Sequence, residues 1–150
     1  MKKFTLVLPL FFFAAVAFGQ SEPSKETSMK PIMDDIKPLI EQIEGRGEEI
    51  VRMEYDIVND PKETYRNLSS AYTYGIMAVG DYRIKKMGVE LYEENSSGDW
   101  SLVKVDNADK YYASVLIKPS ETKRYKIVVK AIQFEEGNSV GHYGLLVYHE

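Results

Sequence analysis

Past Gly47 the chain repeats its apolar side chains every second residue, and that period of two admits little besides pleated strands. Val51, Met53, Tyr55 and Ile57 alternate with Arg52, Glu54 and Asp56, which predicts a half-buried strand with the apolar set facing inward. Ile50, Met53, Ile57 and Val58 also fit a helical spacing, so this segment alone leaves two readings. Thr64 to Leu68 predicts a short strand, and Ala71 to Val79, apolar or small on both faces, predicts a central one. Gly75 within it marks a bulge or the close approach of another backbone. Further strands are expected at Met87–Leu91, Trp100–Val105, Tyr111–Ile117, Tyr125–Ala131 and Tyr143–Val147. Turn residues separate them: Asn59-Asp60-Pro61, Gly80-Asp81, Asn95 to Gly98, Asp106 to Asp109, Pro119 to Thr122 and Glu136-Gly137-Asn138. About eight short strands with such turns between them predict an all-β, antiparallel, jelly-roll-like β-sandwich. One face of each strand is expected to meet solvent.

Ahead of this run the period changes. Met29, Ile32, Ile36, Leu39, Ile40 and Ile43 recur at helical spacing, predicting one short amphipathic helix over 29–47. Ser28 is placed to cap it, Gly45-Arg46-Gly47 to end it, and Pro38 to kink it or split it in two. The helix is expected to lie as a lid on the sheet or on its end. Residues 20–28 are polar and aperiodic and read as a flexible leader. Residues 48–150 form the sandwich domain in this reading.

Residues 1–19 read as a signal peptide. Lys2 and Lys3 precede an uncharged apolar stretch from Phe4 to Phe18, and Ala17-Phe18-Gly19 supplies small residues for cleavage before Gln20. Ala15-Val16-Ala17 offers a second cleavage point. The apolar run is short for a membrane span of about 20 residues, and Pro9 interrupts it. The expectation is export to the bacterial periplasm or beyond, with no stable span after cleavage. Cleavage removes two lysines and no acid, which moves the net charge from −4 to −6. An acidic chain without a basic stripe is not built for nucleic acid. Cysteine is absent, so no disulfide, thiolate nucleophile, cysteine metal site or amino-terminal lipid attachment is available.

The strand Tyr72-Thr-Tyr74-Gly-Ile76-Met-Ala78-Val-Gly80-Asp81 is followed by Val89-Glu-Leu91-Tyr92-Glu and by Leu102 to Asp106. Then come Val115-Leu-Ile-Lys-Pro119, Thr122, Tyr125-Lys-Ile127-Val-Val129 and Gly141-His-Tyr143-Gly144-Leu145. This order, over roughly 66–148, resembles the bacterial pre-peptidase C-terminal domains and their stand-alone secreted relatives. The resemblance implies a small jelly-roll-like sandwich in a secreted setting and a non-catalytic role. Such domains often carry two Asp in the strand that here reads Lys85-Lys86-Met87-Gly88-Val89, and both are missing. A calcium or ligand role tied to those acids is therefore not carried over.

Catalytic signatures do not stand out. His142 and His149 are the only histidines, and a separation of seven on one strand puts them on opposite faces. No nucleophile elbow, zinc-protease helix or phosphate loop is present. No catalytic residue and no cofactor is assigned. Asp99, Asp106 and Asp109 are calcium candidates by donor chemistry, although Asp and Asn also build turns and no calcium-loop spacing is matched. Trp100, Tyr92, Tyr111 and Tyr112 are the ligand-binding candidates, expected near strand ends, where aromatic faces stack on a sugar or cover a protein partner. The resulting expectation is an exported, non-catalytic binding or accessory module for a protein or carbohydrate. A structural or inhibitory envelope protein acting by contact through the helix is the alternative, and a hydrolase using loop carboxylates is the third reading.

Overall fold

The computed structural model describes residues 28–107 and 109–150. The expected signal, and all of the leader except Ser28, lie outside the described residues. Helix α1 spans Lys30–Gly45. Eight strands follow: β1 Glu49–Val58, β2 Lys62–Leu68, β3 Tyr74–Gly80, β4 Ile84–Glu94, β5 Trp100–Asp106, β6 Tyr112–Ile117, β7 Lys123–Phe134 and β8 Gly141–His149. They form two four-stranded antiparallel sheets, ordered β1-β8-β3-β6 and β2-β7-β4-β5. Apart from the β4–β5 hairpin, successive strands cross from sheet to sheet as in a jelly roll, and β1, β6, β2 and β5 are the edges.

Between the sheets lies the main core. Ile76, Ala78, Met87, Val89, Leu91, Tyr125, Ile127, Val129, Tyr143, Leu145 and Val147 are its chief members. Those of β4, β7 and β8 are the inward positions expected from the period of two, and each buried Ile, Val or Leu contributes about 1.5–3 kcal/mol of transfer free energy.

A second core sits outside the sandwich. Ile32, Ile36 and Ile43 of α1 pack on Val79, Leu146 and Tyr148, with Met29, Leu39, Ile40, Ile50, Tyr55, Met77 and Tyr112 around them. The helix thus lies on the face of the sheet, and β8 is buried on both sides rather than half-solvated. Gly75 admits a close approach, but of a side chain. The ring of its cross-strand partner Tyr148 comes within 2.1 Å of where a Cβ would stand.

Pro38 does not split α1, which runs unbroken through it. Ser28 Oγ accepts the Lys30 N–H at 3.2 Å, as a cap one residue ahead of Met29. At the other end Gly47 takes a positive φ of 81°, its N–H reaching the Glu44 carbonyl while that of Glu48 reaches Ile43. That pair of bonds is a Schellman stop.

β1 corrects the sequence reading. A register shift between Ile50 and Arg52 leaves Val51 as a bulge, and one extra residue exchanges the two faces of the strand beyond it. Met53 and Ile57, expected inside, are 48% and 46% exposed, and Tyr55 packs against the helix cluster. Arg52, Glu54 and Asp56 instead share a face with Val147, Leu145 and Tyr143. They sit at the open seam between edge strands β1 and β2. Arg52 pairs there with Glu54, the Thr64 hydroxyl donates to Glu54 at 3.0 Å, and Arg66 donates to the Val51 carbonyl at 2.9 Å. Burial, with Glu54 and Asp56 nearby, pushes the Tyr143 hydroxyl up to about 12.

Candidate functional site

The four aromatic candidates do not form one surface. Tyr92 and Trp100 stand on the outer face of the β2-β7-β4-β5 sheet. Tyr111 and Tyr112 border the other sheet, next to α1.

On the first face, aromatic and charged side chains interleave across the strands. Tyr65 lies 5.4 Å from Trp100, centroid to centroid. The Arg124 guanidinium sits 4.9 Å over Tyr65 and 5.8 Å over Trp100. The Lys126 ammonium sits 4.7 Å over Tyr92 and 5.5 Å over Trp100. Tyr65 and Tyr92 each donate a 2.7 Å hydrogen bond, to Glu63 and Glu90. Those bonds push both phenols up. The Tyr65 bond holds Glu63 down, and a bond from Lys130, with that of Tyr92, holds Glu90 down. A ring face occupied by the chain's own cation is a poor seat for a sugar. Tyr65 was not singled out from the sequence, and Arg124 and Lys126 read there only as a basic spot on a solvated strand. Their alternation with Thr64, Arg66 and Tyr125, Ile127 was the available signal.

The three calcium candidates are separated. Asp99 closes the β4–β5 hairpin, where Asn95 Oδ1 accepts the N–H groups of Ser97 and Asp99 at 3.0 and 2.8 Å. Asp106 stands at the far end of β5, about 20 Å away at the rise of an extended strand. It accepts the N–H of Ser114 at 2.9 Å. Asp109 pairs with Lys86, whose hydrogen bond lowers its pKa. Asp99 accepts the Ser97 hydroxyl at 3.0 Å within its own turn, Asp106 accepts a backbone N–H of β6, and the two cannot share an ion. Among the described residues no group of three or more His, Asp or Glu is placed to hold a metal.

One polar cluster escaped the sequence reading. Asp81, Arg83 and His142 are 1%, 4% and 2% exposed, the buried polar residues of the described chain. Arg83 Nε donates to Asp81 at 3.0 Å, and its Nη2 bonds both Asp81 and His142 Nδ1. The His142 N–H donates to Asp81 at 3.1 Å, and the Asp81 N–H donates to the His142 carbonyl at 2.9 Å. Guanidinium only donates, so Nδ1 is an acceptor and the ring proton belongs on Nε2. The 3.4 Å approach of Nδ1 to Asp81 is therefore not an ion pair. Burial pushes the Asp81 carboxyl up, but the hydrogen bonds from Arg83 and from the two backbone N–H groups outweigh it and hold the pKa below its ordinary value. The cluster bolts β8 to the β3–β4 turn. His149 lies on the opposite face of β8, stacked on Tyr72 with centroids 4.1 Å apart.

A hollow of about 530 Å³ lies in the groove between α1 and β6. Val79 and Met77 of β3 and Leu39 and Pro38 of the helix supply its apolar lining. Asp34, Asp35 and Gln42 supply polar groups from the helix, and Tyr111 and Tyr112 close the far wall. The two rings meet edge to face, 5.4 Å apart at 82°. Lys110 donates to the Tyr112 hydroxyl at 3.1 Å, and that bond raises its own pKa. The groove exists because α1 covers β8 and its flanks but stops short of β6, the edge of the sheet. An apolar floor with a few convergent polar groups is the usual form of a small-ligand or peptide seat.

No protein-family model matches the chain, and no curated protein matches it in sequence. Solved structures do resemble it. The pre-peptidase C-terminal domain of a collagenase from Bacillus anthracis is 16% identical over 64% of this chain and 87% of its own, with a TM-score of 0.46. The Yersinia pseudotuberculosis-derived mitogen is 12% identical over 66% of this chain and 84% of its own, with a TM-score of 0.45. A protein from Sulfurospirillum deleyianum is 7% identical over 66% of this chain and 98% of its own, with a TM-score of 0.44. A domain of the family named from the sequence is thus among these solved structures, and no residue role passes from it to this chain.

Proposed function

We propose that this protein is an exported, non-catalytic binding module whose ligand seat is the groove between α1 and β6. The observation that carries the proposal is the meeting of Tyr111 and Tyr112 with Asp34, Asp35 and Gln42 around an apolar floor. Export rests on the pattern of residues 1–19. Among the described residues no helix is long and apolar enough to cross a membrane.

Contact through the helix alone is less well supported. The apolar face of α1 is consumed by Leu146, Tyr148 and Val79, so the helix serves as a wall of the seat rather than as a free docking element. An aromatic sugar platform at Trp100 and Tyr92 is weakened by the cations already lying over those rings.

The test is a melting-temperature screen of the purified protein against glycans, peptides and divalent ions, with and without EDTA. A ligand that raises the melting temperature should lose its effect with Tyr111→Ala and Tyr112→Ala and keep it with Trp100→Ala. The reverse pattern would move the seat to the other sheet.

A further inference from the structure

The groove beside α1 carries one sign of charge. Asp34 and Asp35 line it, and none of its lining residues is basic. Asp34 is held by Lys30 one turn away, whereas Asp35 has no hydrogen-bond or ion-pair partner among the described residues. Asp35 and Tyr111 also line a neighbouring hollow of about 300 Å³, where Glu135 faces Lys85 and the Asp81 carboxylate is already held by Arg83. The two hollows share Asp35 and Tyr111, and the unpaired Asp35 gives their junction its negative charge.

The aromatic wall suits the same charge. The Lys110 ammonium already rests 5.1 Å over the Tyr112 ring. Tyr111, half exposed, carries no such cation among the described residues. A phenol ring beside an unpaired carboxylate attracts a guanidinium or ammonium group. Length is the remaining clue. Asp35, Leu39 and Gln42 recur at i, i+4 and i+7, so they line one side of the helix over about 10 Å. That is the reach of about three extended residues.

From this we propose that the groove receives an extended peptide segment. One Lys or Arg of the segment lies between Asp35 and Tyr111, an apolar neighbour rests on Leu39 and Met77, and the Gln42 amide meets its backbone. This rests on the groove being the ligand seat.

The experiment is fluorescence anisotropy with labelled Ala-Leu-Arg-Leu-Ala, and with Ala-Leu-Glu-Leu-Ala as the charge-reversed probe, against the purified protein at low and high salt. The arginine peptide should bind saturably, weaken with salt, and weaken about three- to ten-fold with Asp35→Asn, an exposed helix position. The glutamate peptide should fail to compete. Equal binding of the two probes overturns the proposal, as does indifference of the arginine peptide to Asp35→Asn. If neither peptide binds while some other ligand loses its melting shift with Tyr111→Ala, the peptide assignment falls and the groove stands. If the arginine peptide binds but ignores Tyr111→Ala, both fall.

Discussion

The two sheets of the sandwich share a core and treat their outer faces in opposite ways. β8 carries Tyr143, Leu145 and Val147 inward and Leu146 and Tyr148 outward, and α1 covers the outward pair. β7 carries Tyr125, Ile127 and Val129 inward and Arg124, Lys126 and Lys130 outward, and nothing in the described chain covers them except their own ring and carboxylate neighbours. The contrast teaches that a strand's second face is written for whatever lies over it. Where a helix lies over it the face is apolar, and where water does, charge and ring interleave. It also explains where the groove falls. A covered face has a boundary at the end of its cover, and at that boundary apolar floor and polar rim occur together.

The contrast can be broken most severely at the joint. Arg83→Met would leave Asp81 buried without its guanidinium, and should cost about 3–5 kcal/mol in chemical unfolding. The same site sets an acid response. Asp81 is held below its unfolded value near 3.9, so its stabilisation is present above about pH 4 and is lost as pH falls through the folded value. Melting curves from pH 6 to pH 2 should show that loss, and Asp81→Asn should flatten it from a less stable starting point.

Next in size is the cover itself. Ile36→Ala removes a fully buried side chain from the helix–sheet core and should cost about 2–4 kcal/mol. A loss below about 1 kcal/mol would mean that the covered face does not depend on its cover. The smallest effect is expected on the bare face. Lys126→Met removes a cation from between Tyr92 and Trp100 and should change stability by no more than about 1 kcal/mol. A larger loss there would erase the distinction between the two faces.

How much of this was legible in the sequence varied with the source of the signal. β7 was plain, because Tyr125, Ile127, Val129 and Ala131 fall at alternate positions, β2 keeps register along it, and the shifts against β4 lie beyond Ala131. The six apolar helix positions from Met29 to Ile43 were plain for the same reason, and all six meet the sheet. β1 was not, because the bulge at Val51 is a backbone event with no residue of its own to announce it, and it reverses the parity of everything after it. The buried cluster was hidden as well. Gly80-Asp81 reads as a turn and His142 as a strand end, and only the return of β8 beside β3 brings them together. The groove was half visible. Tyr111 and Tyr112 could be chosen for their rings, but Asp35, Leu39 and Gln42 are some seventy residues away and join them only through the seating of α1.

The bond from Asp106 to the Ser114 N–H has a consequence for how copies of this chain meet. β6 is the rim of its sheet, and a bare rim is an invitation to stack strand upon strand into fibres. Asp106 plugs one socket of that rim from the neighbouring sheet and sets a negative charge where an arriving carbonyl would have to dock. An acid first weighed for gripping an ion thus occupies a backbone donor on the rim that an added strand would need.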